Sequence, residues 1–327
     1  MSKLMGSKCR GRGTQVQLSV VVPLFNEEDN VGVLTDRLAQ VLGDLGRSYE
    51  VILVDDGSRD ATWERIQQSV AQRGDIVGLR LSRNFGHQHA LLAGIVHAAG
   101  QAIITMDGDL QHPPEMIPRL VEQWEMGNKI VNTRRTEEKN TSFFKRTTSK
   151  YFYKIFSMLS EVEMSEGSSD FRLLDRQACD ELLQFRDVDL FLRGAVQWLG
   201  LKATTISFRV GDRFSNVSKF SLRRMMRFAV GAIISFSTKP LRLGIWLGMV
   251  TSVCAFLELV YILVQVASGR TVPGWASTVG ILSLLFGILF VMLGIMGVYV
   301  ARIHQALQSR PRFVVEEVVE GDTGEMR

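Results

Sequence analysis

Two long apolar stretches constrain the fold of this 327-residue chain more than any other feature of its sequence. Residues 243–266 contain one charged side chain, Glu258, and residues 275–300 contain none. Each stretch is long enough to cross the roughly 30 Å hydrocarbon core of a bilayer as an α-helix. Because two such lengths in succession argue against buried helices of a soluble protein, we predict two transmembrane helices within residues 241–303.

The charges around these stretches predict their orientation. The connecting segment SGRTVPG is short, so the helices should form a hairpin, and it carries only Arg270. Basic side chains instead flank the two outer ends: Lys219, Arg223, Arg224, Arg227, Lys239, Arg242, Arg302, His304, Arg310 and Arg312. Because cytoplasmic segments are enriched in Lys and Arg, we expect the N-terminal region, both termini and a tail of residues 304–327 to lie in the cytoplasm.

Composition and charge argue against some other classes of protein. The net charge of +4 is too small to indicate nucleic-acid binding. The three cysteines are scattered without metal-ligand spacing, and an odd number offers no disulfide framework, which agrees with a reducing compartment. Residues 1–16 carry four basic side chains but no apolar stretch that could serve as a signal peptide, and we interpret them as a disordered basic leader.

Short apolar runs alternate with segments of helical length in the first half of the chain. Strands are predicted at residues 18–22, 50–54, 76–81, 102–106 and 129–133, and helices at residues 28–45, 60–72, 86–99 and 113–126. This alternation implies right-handed crossovers and a mostly parallel sheet. We therefore predict an α/β domain of the nucleotide-binding type over residues 17–215.

Three further segments between the predicted α/β strands and the first transmembrane stretch have distinct compositions. Residues 136–141 are polar and suit an active-site loop. Residues 143–159 mix aromatic and basic side chains, a pattern equally compatible with a membrane interface and with packing on the sheet. In residues 216–240, Arg223, Arg224 and Arg227 share one helical face opposite an apolar one, which predicts an amphipathic interfacial helix.

The first two predicted strands end in side chains that suit a nucleoside. Pro23 should end the first strand, because proline cannot donate to a sheet. Phe25 could then stack on a base and Glu27 could accept hydrogen bonds from a ribose. Asp55 and Asp56 follow the second strand and could accept an N–H from a base ring. A helix start and an N-capped turn are the structural alternatives.

Asp107, Asp109 and Gln111 follow the fourth predicted strand, at the edge where open α/β sheets bind ligands. Oxygen ligands of this kind suit Mg²⁺ or Mn²⁺ in an open site that also takes water and substrate phosphate. An Asp-Gly turn is the alternative interpretation. The chain has no GxGxxG motif after its first strand and no GxxxxGK[ST] motif, so phosphate charge would have to be met by a metal.

An ordered set of motifs resembles a known family. VVPLFNEEDN, LVDDGSRD, SRNFGHQHALLAG, MDGDLQHPPE and SDFRLLDR precede the paired apolar stretches, as in polyprenyl-phosphate glycosyltransferases of family 2, which have the GT-A fold. The similarity is greatest to the bactoprenol glucosyltransferases, whose later motifs are similar to SFSTKPL and RPRF here. One departure is Val298, where relatives often carry a glutamate.

The resemblance implies roles for particular residues. It assigns the nucleoside to Pro23, Phe25, Glu27 and Asp56, to which the residues themselves add Asp55. It assigns Mg²⁺ or Mn²⁺ and the diphosphate to Asp107, Asp109 and Gln111. It places the lipid phosphate at Arg134, or at the adjacent Arg135, together with Arg146 or Ser149. It also favours a homo-oligomer, a tetramer above all, in the bacterial inner membrane.

A polyprenyl phosphate acceptor is already anionic, so the reaction that the resemblance implies needs no general base. The histidines His87, His89, His97 and His112 can then be structural. The remaining tasks are to neutralise the leaving diphosphate, for which Asp107 and Asp109 would hold the metal, and to steady the acceptor's charge. Arg134, Arg172 and Lys219 are candidates for the second task, although Lys219 also suits surface charge near an anionic membrane.

In-line attack should invert the sugar's configuration. By resemblance the donor is UDP-glucose, with galacturonate, mannose or formamidoarabinose as alternatives on the same lipid, and the product would serve cell-envelope glycans such as lipopolysaccharide. A processive family 2 polysaccharide synthase is the main rival, but it needs a base and usually a QxxRW-type motif. A small transporter subunit is a weaker rival, since two spans without polar repeats suit it poorly.

Overall fold

The structure is a computed structural model that describes residues 16–136, 168–185, 192–209, 239–269, 274–308 and 310–321. Several predicted features lie outside these residues. They are the loop at residues 137–141, the segment 143–159, nearly all of the interfacial helix, and the side chains of Arg146, Ser149 and Lys219. The chain divides into two compact units. The first comprises Met1–Lys150, Met164–Lys219 and Arg310–Arg327, and the second comprises Tyr151–Glu163 and Phe220–Ser309.

The first unit is built on one eight-stranded sheet with the order β7-β5-β6-β4-β1-β2-β3-β8. The strands are β1 (Leu18–Leu24), β2 (Tyr49–Asp55), β3 (Ile76–Leu81), β4 (Ala102–Thr105), β5 (Ile130–Thr136), β6 (Ser168–Asp175), β7 (Ala203–Arg209) and β8 (Val315–Glu320). The helices between them are α1 (Asn30–Asp44), α2 (Thr62–Gln72), α3 (His87–His97), a 3₁₀ turn (Pro114–Met116) with α4 (Ile117–Glu125), α5 (Arg176–Leu183) and α6 (Leu192–Trp198). The predicted α/β alternation is confirmed.

Most neighbouring strands in this sheet are parallel. β1 pairs in parallel with β2 and β4, β2 with β3, and β5 with β7. Only β6 and β8 run antiparallel to their neighbours. The three strands with acidic ends therefore lie side by side in the order β4-β1-β2, and their carboxyl ends meet at one edge. Pro23 lies within β1, which continues to Leu24 rather than ending at the proline.

Helices cover both faces of the sheet, which explains the continuous apolar runs of its central strands. Along β1, Val20 and Val22 face one core cluster and Val21 faces the other, as the two-residue period of a strand requires. The first cluster includes side chains of α1, α2 and α4. The second includes side chains of α3, α5 and α6. Each face thus buries one half of the alternating side chains.

The segment after the second apolar stretch returns to this sheet. β8 pairs with the outer edge of β3, with Val315 opposite Leu81, and the Ser82 N–H donates to the Val314 carbonyl at 3.0 Å. Residues 304–327 were predicted only as a tail, so this strand is an addition to the prediction. Because β7 runs parallel to β4 and β8 runs antiparallel to β3, the chain leaves the sheet and re-enters it at the same carboxyl edge.

The second unit contains two long helices, α7 (Lys239–Ala267) and α8 (Trp275–Leu307). Their segments Gly244–Gln265 and Gly280–Ala301 are long and apolar enough to cross a membrane, by length and composition. The two helices approach closely at Gly248, where a Cβ would lie 2.8 Å from Met292 Cε. This agrees with the use of small residues where membrane helices pack.

We expect Gly94→Ala to destabilise the first unit. A Cβ at this position of α3 would lie 2.2 Å from Val21 Cγ1 and 3.2 Å from Val54 Cγ2, so helix and sheet must separate. Overpacking of this kind costs about 1–3 kcal/mol. Gly43→Ala in α1 is the matched control, because nothing lies within 4 Å of its Cβ and alanine favours a helix. Thermal unfolding of the detergent-solubilised chain should show a lower midpoint for the Gly94 variant alone; equal midpoints would contradict the close packing.

Candidate active site

The loop after β4 carries the predicted metal ligands. Asp109 Oδ1 accepts the Gln111 N–H at 3.1 Å, and the Asp107 N–H donates to His112 Nδ1 at 2.9 Å, so the loop closes on itself. Leu110 has a φ of 60°, a left-handed conformation that side chains other than glycine rarely adopt. The loop is therefore a tight, strained turn rather than an open connection.

Gly108 explains why a glycine separates the two aspartates. A Cβ at this position would lie 2.3 Å from Leu24 Cδ2 at the end of β1. Any larger residue would push the loop away from the neighbouring strand. The Asp-Gly-Asp spacing thus allows the backbone between the two aspartates to pack against the end of β1.

Asp107 has a buried carboxylate oxygen without a hydrogen-bond partner. This atom is Oδ1, and although His87 Nε2 lies 3.3 Å from it, the contact is an ion pair only when the histidine is protonated. Burial raises the pKa of Asp107 to about 6, against the opposing charge of His87. An unsatisfied buried oxygen of this kind is costly unless a cation or donor fills its place.

The residues fit a divalent metal of the open kind. Asp107, Asp109 and Gln111 offer only hard oxygen donors, as Mg²⁺ and Mn²⁺ prefer. Over the described ranges, no three His, Cys, Asp or Glu side chains form a closed metal cage. Gln111 Oε1 accepts from Arg135 Nη1 at 3.1 Å, so this oxygen has a protein partner and its role as a ligand stays a prediction.

A second carboxylate, Asp170 on β6, lies beside the first. Arg193 of α6 donates to both of its oxygens at 2.8 and 2.7 Å, Arg172 Nη2 lies 3.3 Å away, and His87 Nε2 lies 3.7 Å away. Burial opposes ionisation, but the hydrogen bonds from Arg193 outweigh it and hold the pKa of Asp170 well below its usual range. His87 therefore stands between Asp107 and Asp170, and these contacts raise its pKa despite its burial.

A basic cavity of about 210 Å³ opens next to this cluster. The sheet contributes Asn132, Arg134, Arg172 and Thr205 to its lining, and α6 contributes Arg193 and Gln197. Three of the described lining residues are arginines and none is acidic. Asp170 neutralises part of this charge, so a net positive charge remains for an anion.

The loops after β1 and β2 are tied together at the same edge. The Asn26 N–H donates to Ser58 Oγ and Asn26 Oδ1 accepts the Arg59 N–H, both at 2.9 Å. The Glu27 N–H donates to Thr62 Oγ1 at 2.9 Å. Phe25, 42% exposed, stands at this edge with its ring accessible to a base.

Asp55 and Asp56 are both buried but have different contacts. Asp55 Oδ1 accepts the Ser58 N–H at 2.9 Å, while Oδ2 has no hydrogen-bond partner and lies 3.7 Å from Arg80 Nε. Asp56 accepts the backbone N–H groups of Phe85 and Gly86 at 2.7 and 2.9 Å. Burial raises the pKa of both carboxyls. Asp56 therefore holds the loop after β3, whatever it also contributes to a nucleoside.

The structure brings together most of the predicted residues that it describes. Asp107 and Arg172 both lie within the cluster around Asp170, Arg135 contacts Gln111, and Arg134 lines the basic cavity. Phe25, Glu27, Asp55 and Asp56 occupy the tied loops. Their assigned roles stay predictions.

Four residues were missed as site residues. His87 and His112 had been interpreted as structural, yet both lie within 3.6 Å of Asp107. Asp170 could have been found, since residues two apart in a strand share a face and Arg172 was already a candidate. Arg193 could not, because it belongs to a separate helix that only the tertiary packing brings to β6.

The mostly parallel sheet, with acidic loops gathered at its carboxyl edge, has the GT-A-like fold that the sequence predicted for a glycosyltransferase. Residues 19–183 match the family described as Glycosyl transferase family 2. An uncharacterized glycosyltransferase of Bacillus subtilis (strain 168) is 35% identical over 92% of this chain and 94% of its own. The SfII prophage-derived bactoprenol glucosyl transferase of Shigella flexneri is 30% identical over 94% of this chain and 100% of its own.

The chain therefore belongs to glycosyltransferase family 2 and is an enzyme of that class. Among solved structures, glucosyl-3-phosphoglycerate synthase from Mycobacterium tuberculosis, in complex with Mn²⁺ and uridine-diphosphate-glucose, is 19% identical with a TM-score of 0.45. The similarity covers 67% of this chain and 78% of that one.

Asp170→Asn should lower stability by about 3 kcal/mol, because it leaves the buried Arg172 without its counter-charge. This value is the lower end of the range for removing one partner of a buried ion pair. We choose it because Arg193 is 33% exposed and can turn to solvent. Asp180→Asn on the exposed side of α5 is the control and should change stability by less than about 0.5 kcal/mol. Thermal unfolding of both variants measures the difference. Equal midpoints would show that the pairs around Asp170 contribute nothing.

Proposed function

We propose that this protein is an inverting glycosyltransferase that moves a hexose from a nucleotide sugar, UDP-glucose first among candidates, to a polyprenyl phosphate. The reaction would take place at the cytoplasmic face of a bacterial inner membrane. The observation that carries the proposal is the juxtaposition of an acidic loop, with its unsatisfied Asp107 oxygen, and a cavity lined by three arginines, two of which contact Asp170 beside that loop. The acidic loop suits a cation, and the arginine-lined cavity suits an anion.

The acidic loop would serve the donor. Asp107 and Asp109, with Gln111, would hold Mg²⁺ or Mn²⁺, which when bound acts as a Lewis acid on the donor's diphosphate. Phe25 would stack on the base, and Glu27, Asp55 and Asp56 would accept hydrogen bonds from the nucleoside. The tied loops after β1 and β2 support this assignment, because their mutual hydrogen bonds fix the edge on which a nucleoside would lie.

The basic cavity would serve the acceptor. Arg134 and Arg172, which were predicted to steady the acceptor's charge, line it together with Arg193. Guanidinium groups match the geometry of phosphate oxygens. Arg146, Ser149 and Lys219 remain further candidates for the same phosphate.

The state of Asp170 favours a phosphate acceptor over a sugar hydroxyl. A processive synthase must deprotonate a hydroxyl, and a general base is most effective when its pKa lies near the operating pH. The pKa of Asp170 is instead held well below its usual range, so it is a poor base. Asp107, with its raised pKa, is committed to the metal in this proposal. A polyprenyl phosphate attacks without a base, and its attack from the face opposite the leaving group would invert the anomeric centre.

The lipid part of the acceptor is supported by the second unit and by the relatives. Two helices can cross a membrane, and relatives that match over most of this chain are named bactoprenol glucosyl transferases. The strand before these helices ends, and the strand after them begins, at the carboxyl edge of the sheet. We further propose a homo-oligomer, a tetramer above all, and a lipid-linked sugar product used in cell-envelope glycans. Galacturonate, mannose or formamidoarabinose are the alternative sugars.

The decisive assay incubates the purified chain with polyprenyl phosphate, Mn²⁺ and radiolabelled nucleotide sugars, with UDP-glucose as the first donor. We expect labelled lipid, and we expect Asp109→Ala to reduce it roughly 10²–10³-fold, the scale of losing one electrostatic contact to a transition state. Asp36→Ala, on the exposed surface of α1, is the control and should retain full activity. Accumulation of a water-soluble polymer, with no labelled lipid from any donor, would overturn the proposal in favour of a processive synthase.

Membrane orientation can be measured with single cysteines after replacing Cys9, Cys179 and Cys254 by alanine. A membrane-impermeant maleimide added to intact spheroplasts should label Arg270→Cys in the connecting loop, because that loop is predicted to face away from the cytoplasm. Thr323→Cys near the C-terminus should be labelled only after lysis. Labelling of the two positions in the reverse order would place the site on the wrong face for a cytoplasmic nucleotide sugar.

A further inference from the structure

His112 is a fully buried polar side chain directly behind the acidic loop. None of its surface is exposed, and its ring lies stacked on Phe171, with ring centroids 5.3 Å apart, and edge-on to Phe208 at 6.0 Å. These contacts fix the plane of the imidazole. A buried polar group in such a place must find hydrogen-bond partners or destabilise the fold.

The hydrogen bonds of His112 define its tautomer. The Asp107 backbone N–H can only donate, and it points at Nδ1 from 2.9 Å, so Nδ1 must be unprotonated and Nε2 must carry the hydrogen. Ser169 Oγ, 2.7 Å from Nε2, is placed to accept that hydrogen. Arg135 Nη2 lies 3.1 Å from the same nitrogen but can only donate, so it makes no hydrogen bond to Nε2 in this tautomer. Burial, together with the nearby charge of Arg135, lowers the pKa of His112 to about 3, so the ring is neutral at physiological pH.

We infer that His112 is a positioning residue, whose Nδ1 anchors the backbone of Asp107 and so holds the carboxylates of Asp107 and Asp109 where they bind the metal. The inference rests on the proposed function for the metal itself. The inference adds His112, to which the proposed function gave no role. It requires only that Nδ1 accepts a hydrogen bond, not that the imidazole is charged.

The strain in the loop makes such an anchor necessary. Leu110 is held at positive φ, which costs of order 1–3 kcal/mol and persists only where the surroundings enforce it. The bond from Asp107 to His112 closes the loop across this residue. Nε2 also lies 3.6 Å from Asp107 Oδ2, so the ring stands beside that oxygen, and the other oxygen, Oδ1, is buried without a hydrogen-bond partner. Without the anchor, the loop can relax and both carboxylates can move.

Two substitutions separate the anchor from simple packing. His112→Asn keeps an acceptor oxygen at a reach similar to that of Nδ1 but loses the ring that packs on Phe171. His112→Leu keeps apolar volume but offers no acceptor. A merely structural histidine would tolerate leucine better than asparagine, whereas an anchoring histidine would tolerate asparagine better in metal binding.

The test measures the Kd of Mn²⁺ by electron paramagnetic resonance, with UDP present, on the purified full chain in nanodiscs. We expect His112→Leu to raise this Kd about 10–100-fold, the usual effect of removing a partner that orients a metal ligand. His112→Asn should stay close to the native Kd even though its thermal midpoint falls. His97→Leu, on the exposed end of α3, is the control and should bind Mn²⁺ as the native chain does.

The inference fails if His112→Leu binds Mn²⁺ with the native Kd, or if asparagine and leucine weaken binding equally. Absence of Mn²⁺ binding by the native chain would remove the metal site and this inference together. If the native chain binds Mn²⁺ and the variants differ as expected, but no labelled lipid forms in the transfer assay, the proposed acceptor is wrong while the role of His112 stands.

Discussion

The site depends on the parallel pairing of β1 with both β2 and β4. Because β1 is the central strand of the three, the loops after all of them open at one edge, and residues distant in sequence become neighbours there. The pairing also sets the closest approaches in the site. Gly108 packs against Leu24 at the end of β1, and Asp56 donates its N–H to the Leu24 carbonyl. A shift in register of β1 would therefore displace the metal-ligand candidates and the nucleoside loop together.

Two carboxylates near this edge, Asp107 and Asp170, have different electrostatic surroundings. Asp107 is partly buried and has one buried oxygen without a hydrogen-bond partner and a raised pKa, whereas both oxygens of Asp170 accept from Arg193 and its pKa is depressed. His87 lies between the two carboxylates. Two carboxylates in one cluster thus have opposite chemical tendencies, one suited to receive a cation and the other already neutralised. This difference arises from the position of the arginines, not from the depth of burial, because Asp170 is the more deeply buried of the two and still has the lower pKa.

The sequence predicted which strand ends carry the candidate site residues better than it predicted the contacts that those residues make. Periodicity and apolar runs located the parallel strands, and Asp107 and Asp109 stood out because they end such a run. His112 gave no such signal, since its importance comes from a bond to a backbone N–H and from Phe171 and Phe208 on other strands. β8 was also missed. Its outward face carries glutamates, a device that protects an edge strand from further pairing, and such a strand resembles a solvated tail in the sequence.

The position of β8 shows how the two apolar helices are placed in the order of the chain. The chain passes from one outer strand of the sheet, β7, through the two apolar helices and back to the opposite outer strand, β8. Seven strand spacings of about 4.8 Å separate these two strands. Both connections join the sheet at its carboxyl edge. The chain therefore leaves this sheet and returns to it at the edge that carries the acidic loop. The segment with the two apolar helices is thus an insertion between the two outer strands of one sheet, not an extension that follows a completed domain.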